Sequence, residues 1–172
     1  MNLSIEEFEN YDISKIVNLK YFIKMFITTH PHIKSLNLNK WKVNDRTDLQ
    51  GLFVNCVDIE SIYVDEWNTC NVIDMSYMFY GCKSLVEIRL FKNVSNVLNF
   101  SNMFYNCLNL KYVSNIENWN VLKANLFTYM FYNCVMLYEL DLSKWNVKNK
   151  QTIDYMFKCC PSEVKNMKIL KN

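Results

Sequence analysis

Glycine is nearly missing from this chain: there are 2 in 172 residues, where average usage would give about a dozen. Gly51 and Gly81 stand far apart, so neither a phosphate-cradling loop nor a dinucleotide fingerprint can be built, since both need several glycines close together. Histidine is as scarce, with only His30 and His32, which removes the raw material for most His-based catalytic and metal schemes. Neither sign of charge dominates: 19 basic residues face 17 acidic ones, spread along the chain without the clustered basic face of a nucleic-acid binder. Apolar runs are short and interrupted, as by Lys24 within 21–27, which excludes a membrane-spanning helix. The start, Met1-Asn2-Leu3-Ser4-Ile5-Glu6-Glu7, has neither the basic opening nor the apolar core of a signal peptide. Nothing in these residues marks the chain for export, and its location is left open, the cytoplasm being one reading.

What is abundant is core material. Hydrophobic residues make up 51% of the chain and aromatics 15%, enough for one packed domain and too much for disorder. The aromatics are also periodic. Phe26, Phe53, Phe79, Phe104, Phe131 and Phe157 follow one another at intervals of 27, 26, 25, 27 and 26 residues, a period that marks an array of stacked units. Trp41, Trp67, Trp119 and Trp145 each lie 12 residues before the next of these Phe, and Lys92 takes the missing place. Three residues after Phe comes Cys56, Cys82, Cys107, Cys134 or Cys160, with Thr29 in the first repeat.

Each repeat divides in two. Up to the Cys, apolar residues recur at i, i+3, i+4 and i+7, as in Met75/Met78/Phe79/Cys82 and Phe100/Met103/Phe104/Cys107, which predicts about two turns of helix. Asp48, Asp74, Asn99 and Thr152 stand ahead of this stripe as candidate N-caps, and Leu126 breaks their column. After the Cys an L-x-x-L-x-L pattern follows, Ile59/Ile62/Val64, Leu85/Ile88/Leu90 and Leu137/Leu140/Leu142, and its alternating end suits a short strand. In Leu110/Val113/Ile116 one extra residue intervenes, as a bulge would require.

Units this small cannot bury their own apolar faces, whereas stacked copies share one core. The expected fold is α/β: a leucine-rich-repeat-like solenoid of about six coils, each a short strand plus a two-turn helix, with a parallel sheet. The chain forms a single repeat domain, residues 1–172, with 1–20 as a degenerate N-terminal cap and 22–169 as repeats. Ser4-x-x-Glu7 offers a capping box for a helix there. Ile33/Leu36/Leu38 and Val164/Met167/Ile169, each after a proline, predict the first and last strands, the last guarded by Lys165, Lys168 and Lys171.

The segment Trp67-Asn68-Thr69-Cys70-Asn71-Val72-Ile73-Asp74-Met75-Ser76-Tyr77-Met78-Phe79-Tyr80-Gly81-Cys82-Lys83-Ser84-Leu85, with 99–110 and 129–142 in the same pattern, resembles the repeat of BspA-like leucine-rich repeat proteins. The resemblance covers roughly residues 22–169. It implies a solenoid used for surface display, adhesion or protein–protein contact, and it carries no catalytic residues over. Members of that family are usually exported, often as lipoproteins.

The candidate sites follow from the columns. Once per repeat, Cys56, Cys82, Cys107, Cys134 and Cys160 occupy the buried end of the stripe, where a thiol serves as a small hydrophobe; Cys70 and Cys159 lie outside it. Helices packed 8–10 Å apart keep such thiols beyond disulfide reach, and no C-x-x-C pair suggests zinc. Trp41, Trp67, Trp119 and Trp145 predict a second internal ladder. His30 and His32 could reach Cys56 or Asp58 for a metal, but solvated loop histidines are the better expectation, so no cofactor is assigned. Asp65 with Glu66, or Glu139 with Asp141, supply carboxylates without a cleft to place them in.

The residues alternating with the core on each strand, Asn37, Tyr63, Arg89, Ser114, Asp141 and Lys168, are expected on the exposed sheet face. Asn39, Asp65, Phe91, Glu117 and Ser143 flank them on one side, with Glu87, Tyr112 and Glu139 on the other. Tyr and Arg are hot-spot residues, so Tyr63, Arg89, Phe91, Tyr112 and Asp141 form the expected partner-binding set. The expected function is non-enzymatic contact with another protein. The alternative is a structural or self-associating repeat that joins through its end coils; a carbohydrate-binding module using the Trp column ranks third, and a hydrolase fourth.

Overall fold

The alternating residues that close each repeat pair as four three-residue strands: β1 (Ser35–Asn37), β2 (Ser61–Tyr63), β3 (Glu87–Arg89) and β4 (Tyr112–Ser114). They form one parallel sheet in the order β1-β2-β3-β4. Leu36, Ile62, Ile88 and Val113 are aligned in register and buried, while Asn37, Tyr63, Arg89 and Ser114 share the opposite face. The computed structural model describes residues 3–43, 46, 48–138, 140–147, 153 and 155–165. Over these it is a mixed α/β structure with few helices. The described residues of 137–142 carry no strand, although Leu137, Leu140 and Leu142 are buried and Asp141 is exposed. Val164 belongs to a short helix, α3 (Ser162–Lys165), and not to a strand. Met167, Ile169, Lys168, Lys171, Glu139 and Thr152 lie outside the described residues.

The segments around Phe53, Phe79, Phe104 and Phe131 are not helical. Their backbone N–H groups alternate between two destinations. In the Phe79 repeat, Met75, Tyr77, Phe79 and Gly81 donate to the carbonyls of Asn99, Ser101, Met103 and Tyr105 in the next repeat, at 2.8–3.0 Å. The amides between them close three-residue turns: Met78 to Met75, Tyr80 to Tyr77 and Cys82 to Phe79. The same alternation runs through the Phe53, Phe104 and Phe131 repeats. An α-helix would instead direct each N–H to the carbonyl four residues back. Turns of three residues bring apolar side chains inward at i, i+3 and i+4 just as a helix does, which is why the spacing suggested one.

The turns require left-handed backbone twice per repeat. Gly51, Tyr77, Asn102 and Tyr129 have φ of 58–60°, and Asn55, Gly81, Asn106, Asn133 and Cys159 have φ of 57–71°. Each column holds one glycine in these repeats; Asn, the next most tolerant residue, fills most of the other places in the second column, whereas in the first Tyr77 and Tyr129 outnumber Asn102. Asp48, Asp74 and Asn99 do act as caps, of turns: each side chain accepts the N–H two residues on, at Gln50, Ser76 and Ser101.

Among the described residues only the first stripe is a true helix. α2 (Leu19–Thr29) opens at Asn18, whose side chain accepts the Tyr21 N–H at 2.9 Å, and buries Leu19, Phe22, Ile23 and Phe26. It stops where His30 precedes Pro31, a position that disfavours helix. A helix satisfies its own backbone groups and so suits the end of a stack. Ahead of it, α1 (Ile5–Glu9) starts with the Ser4/Glu7 capping box. α1 also covers the sheet edge: the Glu9 carboxylate accepts the Asn37 N–H at 2.7 Å, and the Phe8 carbonyl accepts the Trp41 indole N–H at 3.0 Å.

The core is an aromatic column. Phe53, Phe79, Phe104, Phe131 and Phe157 stack in sequence with ring centroids 5.1–5.7 Å apart and planes within 9° of parallel. Phe26 stacks instead on Phe8. Offset stacking at this separation is favourable beyond burial alone. Replacing Phe104 by Ala should cost about 3–5 kcal/mol through the cavity left between two rings. Tyr105→Ala, at a half-exposed ring one residue on, should cost clearly less in the same urea titration.

Candidate functional site

Two exposed faces carry the polar and aromatic side chains. On the sheet face, Tyr63 and Arg89 come from adjacent strands, and the Arg89 guanidinium lies 5.1 Å from the centre of the Tyr63 ring. The Tyr63 hydroxyl donates to Glu87 at 2.7 Å, which holds the ring in place for the cation. Tyr112 sets its ring edge-on to Tyr138 at 5.4 Å, and the two hydroxyls are hydrogen-bonded. Asn39 donates to Asp65 at 3.1 Å, and Ser61 to Ser35 at 2.9 Å. Tyr63 is half-buried, and Arg89, Tyr112, Ser114 and Asp141 are exposed. The Asp141 carboxylate is held below its usual range by hydrogen bonds from Ser143.

Phe91 does not belong to this face. It is fully buried, and its ring stacks on Trp119 at 5.6 Å with planes 5° apart. Lys92 holds the Trp place of this repeat and is exposed; the neighbouring Phe91 turns inward and supplies the missing ring of the core. The partner-binding set therefore loses its central aromatic.

The four tryptophans are all buried. Each indole N–H donates to a carbonyl of a preceding segment: Trp41 to Phe8, Trp67 to Leu38, Trp119 to Phe91 and Trp145 to Ile116, at 2.6–3.0 Å. Of these, Trp119 and Trp145 stack directly, at 6.0 Å. Buried indoles leave no aromatic face for a sugar, which corrects the Trp-based carbohydrate reading.

The cysteine column is equally internal. Cys56, Cys82, Cys107, Cys134 and Cys160 are buried, and no disulfide joins the seven cysteines. The thiols of Cys82, Cys107, Cys134 and Cys160 donate to the carbonyls of Phe53, Phe79, Phe104 and Phe131 at 2.9–3.1 Å. The Phe79 carbonyl also accepts the Cys82 amide, so both its lone pairs are used. A thiol fits this place because it is apolar enough to bury and still offers one donor. His30 sits against the Phe26 ring at 4.3 Å with Nδ1 near the Phe26 carbonyl. Among the described residues no three His, Cys, Asp or Glu side chains gather as metal ligands.

The second face, on the turns, was not anticipated. Tyr80, Tyr105 and Tyr132, each one residue after the core Phe, stack on one another at 4.9 and 4.6 Å with planes 7–8° apart. Two residues before the Phe stand Tyr77, Asn102, Tyr129 and Tyr155. Tyr129 stands at 84–85° to the Tyr105 and Tyr132 rings, and Tyr155 lies 5.5 Å beyond it. Lys158 places its ammonium 5.5 Å over the Tyr155 ring. The Cys159 thiol beside Tyr132 pushes the phenol pKa up. Tyr77 and Tyr129 hold φ of 58° and 59°, at a cost of about 1–2 kcal/mol each for a side chain with a Cβ. A Tyr column in step with Phe was the available sequence signal; a helical phasing hid it by making these residues look like an ordinary solvated side.

Together these features define a repeat protein built on a parallel sheet and stacked turns. Residues 1–110 and 47–169 match the family described as "Mycoplasma protein of unknown function, DUF285", and the chain belongs to that family. Comparison with curated proteins and with solved structures yields no match. Among the described residues no helix is long and apolar enough to cross a membrane.

Burial pushes the Cys82, Cys107 and Cys134 thiols up, with neighbouring thiols adding to the rise at Cys82 and Cys134. A thiol with a raised folded pKa stays protonated while the unfolded chain ionises, so stability falls as pH rises above the ordinary value of 9.0. Urea titrations between neutral pH and that range should show this loss. Cys107→Ala should reduce its slope by about 1.4 kcal/mol per pH unit. In the native protein at neutral pH, a thiol reagent should modify exposed Cys159 and spare the three buried thiols.

Proposed function

We propose that this protein is a non-enzymatic recognition module: a leucine-rich-repeat-like solenoid of about six coils that presents its parallel sheet to another protein. The supporting observation is the Arg89–Tyr63–Glu87 arrangement on the exposed face. A guanidinium and a phenol, residue types enriched at hot spots, meet across adjacent strands, and Glu87 fixes the phenol. Such preorganisation lowers the entropy lost on binding. Tyr112, Ser114 and Asp141 extend the surface along the sheet, and Glu87 and Asp65 would tune orientation more than affinity. A surface that gains one position per strand about every 4.8 Å suits an extended partner.

A structural or self-associating repeat is the second reading. It is favoured by α1 at one end of the sheet, which leaves contacts between copies to the other end. Sedimentation over a concentration range separates the two, since self-association must grow with concentration.

The direct experiment compares intact protein with a Tyr63→Ala/Arg89→Ala/Tyr112→Ala variant in crosslinking and pull-down. The sheet-face reading expects partners of the intact protein to be lost by a variant whose unfolding midpoint is unchanged. Partners retained undiminished would move recognition elsewhere.

A further inference from the structure

The geometry points to a glycan-binding site on the tyrosine face of the turns, distinct from the sheet face and independent of its function. Two aspects of this surface meet at a right angle. The inner row, Tyr80, Tyr105 and Tyr132, has its ring faces occupied by one another at 4.6–4.9 Å, so it offers outward only ring edges. The outer row offers the opposite: Tyr129 stands nearly perpendicular to the inner rings and continues into Tyr155 as a shelf. Between Tyr77 and Tyr129 the outer row carries Asn102, whose amide is both donor and acceptor. Asn102 lines the hollow together with Tyr77, Tyr129, the inner row and Lys158, the one charged side chain among its described lining residues.

A pyranose ring matches this pairing. Its C–H face packs on an aromatic shelf, and its rim of hydroxyls exchanges hydrogen bonds with phenols and an amide. The rungs repeat at about 4.8 Å, comparable with one sugar residue of an extended chain. Other polymers fit less well. A proline-rich helix docks into grooves lined by open aromatic faces, and the inner row has closed its faces. A nucleic-acid strand needs several cations along its phosphates, and Lys158 stands alone among the described lining residues. One ammonium over the Tyr155 ring admits a neutral glycan or one acidic substituent.

Backbone conformation supports the same assignment. At the outer-row position the structure demands φ near 60°, and Gly51 and Asn102 meet that demand at little cost. Tyr77 and Tyr129 adopt it against the preference of a bulky side chain. Strain of this kind, retained where a tolerant residue would serve, concentrates at binding sites.

The test uses the intact protein on an array of neutral and acidic oligosaccharides, with calorimetry on the best binder. Saturable binding is expected, weakened by about tenfold or more in Tyr77→Asn and in Tyr129→Asn. Because Asn relieves the left-handed strain, both variants should unfold at a urea concentration no lower than the unaltered chain. Tyr155→Ala should weaken binding too, while Tyr63→Ala/Arg89→Ala leaves it intact, so the site fails or stands apart from the sheet face. No oligosaccharide bound, binding untouched by the three tyrosine variants, or preferential capture of a proline-rich peptide would overturn the assignment. A lowered unfolding midpoint in both Asn variants would likewise overturn it, because the tyrosines would then be holding the fold.

Discussion

Everything in this structure depends on how the backbone of each Phe segment divides its N–H groups. Half of them close local turns, and the other half cross to the next repeat, as Phe79 does to Met103 and Phe104 to Met130. A helix would keep all of these bonds to itself and leave neighbours joined by side chains alone. The alternation joins repeats by backbone on the turn side as the parallel strands join them on the sheet side. Its cost is two left-handed residues per repeat, with almost no glycine in the chain to supply them.

The side chains inherit their order from that spacing. Adjacent repeats sit close enough for the Phe rings to stack at 5.1–5.7 Å and the inner row of tyrosines at 4.6–4.9 Å. The cysteine column follows from the same closeness: a small donor at the end of each turn reaches the carbonyl of the Phe one repeat earlier. Larger side chains would push the repeats apart, and an alanine would leave one lone pair of that carbonyl without its thiol. The first repeat obeys a different rule. There the chain uses a self-sufficient helix, α2, and an acidic side chain, Glu9, on the edge strand.

The sheet was legible in the sequence because strand periodicity is unambiguous over three residues with buried neighbours. Leu36, Ile62, Ile88 and Val113 fell in register, and with them the outward-facing Tyr63 and Arg89. The turns were not legible, because i, i+3, i+4 and i+7 describe both a helix and a run of three-residue turns; only the destination of the amides separates them. The recurring Asn at Phe+2, as in Asn55, Asn106 and Asn133, was the unread sign of left-handed backbone. Phe91 was misplaced because a 25-residue repeat shifts the aromatic by one position, so the core took a ring that strand alternation assigned to solvent. Where the extra residue interrupts Leu110/Val113/Ile116, Asn115 turns left-handed at φ 72° and Ile116–Asn118 forms a single 3-10 turn.

The central claim concerns which carbonyl each amide meets, and nuclear magnetic resonance reads this directly through scalar couplings across hydrogen bonds. In uniformly labelled protein, the Phe79 nitrogen should couple to the Met103 carbonyl carbon, and the Phe104 nitrogen to that of Met130. Couplings from Phe79 to Met75 and from Phe104 to Phe100, the partners four residues back in a helix, would contradict the account.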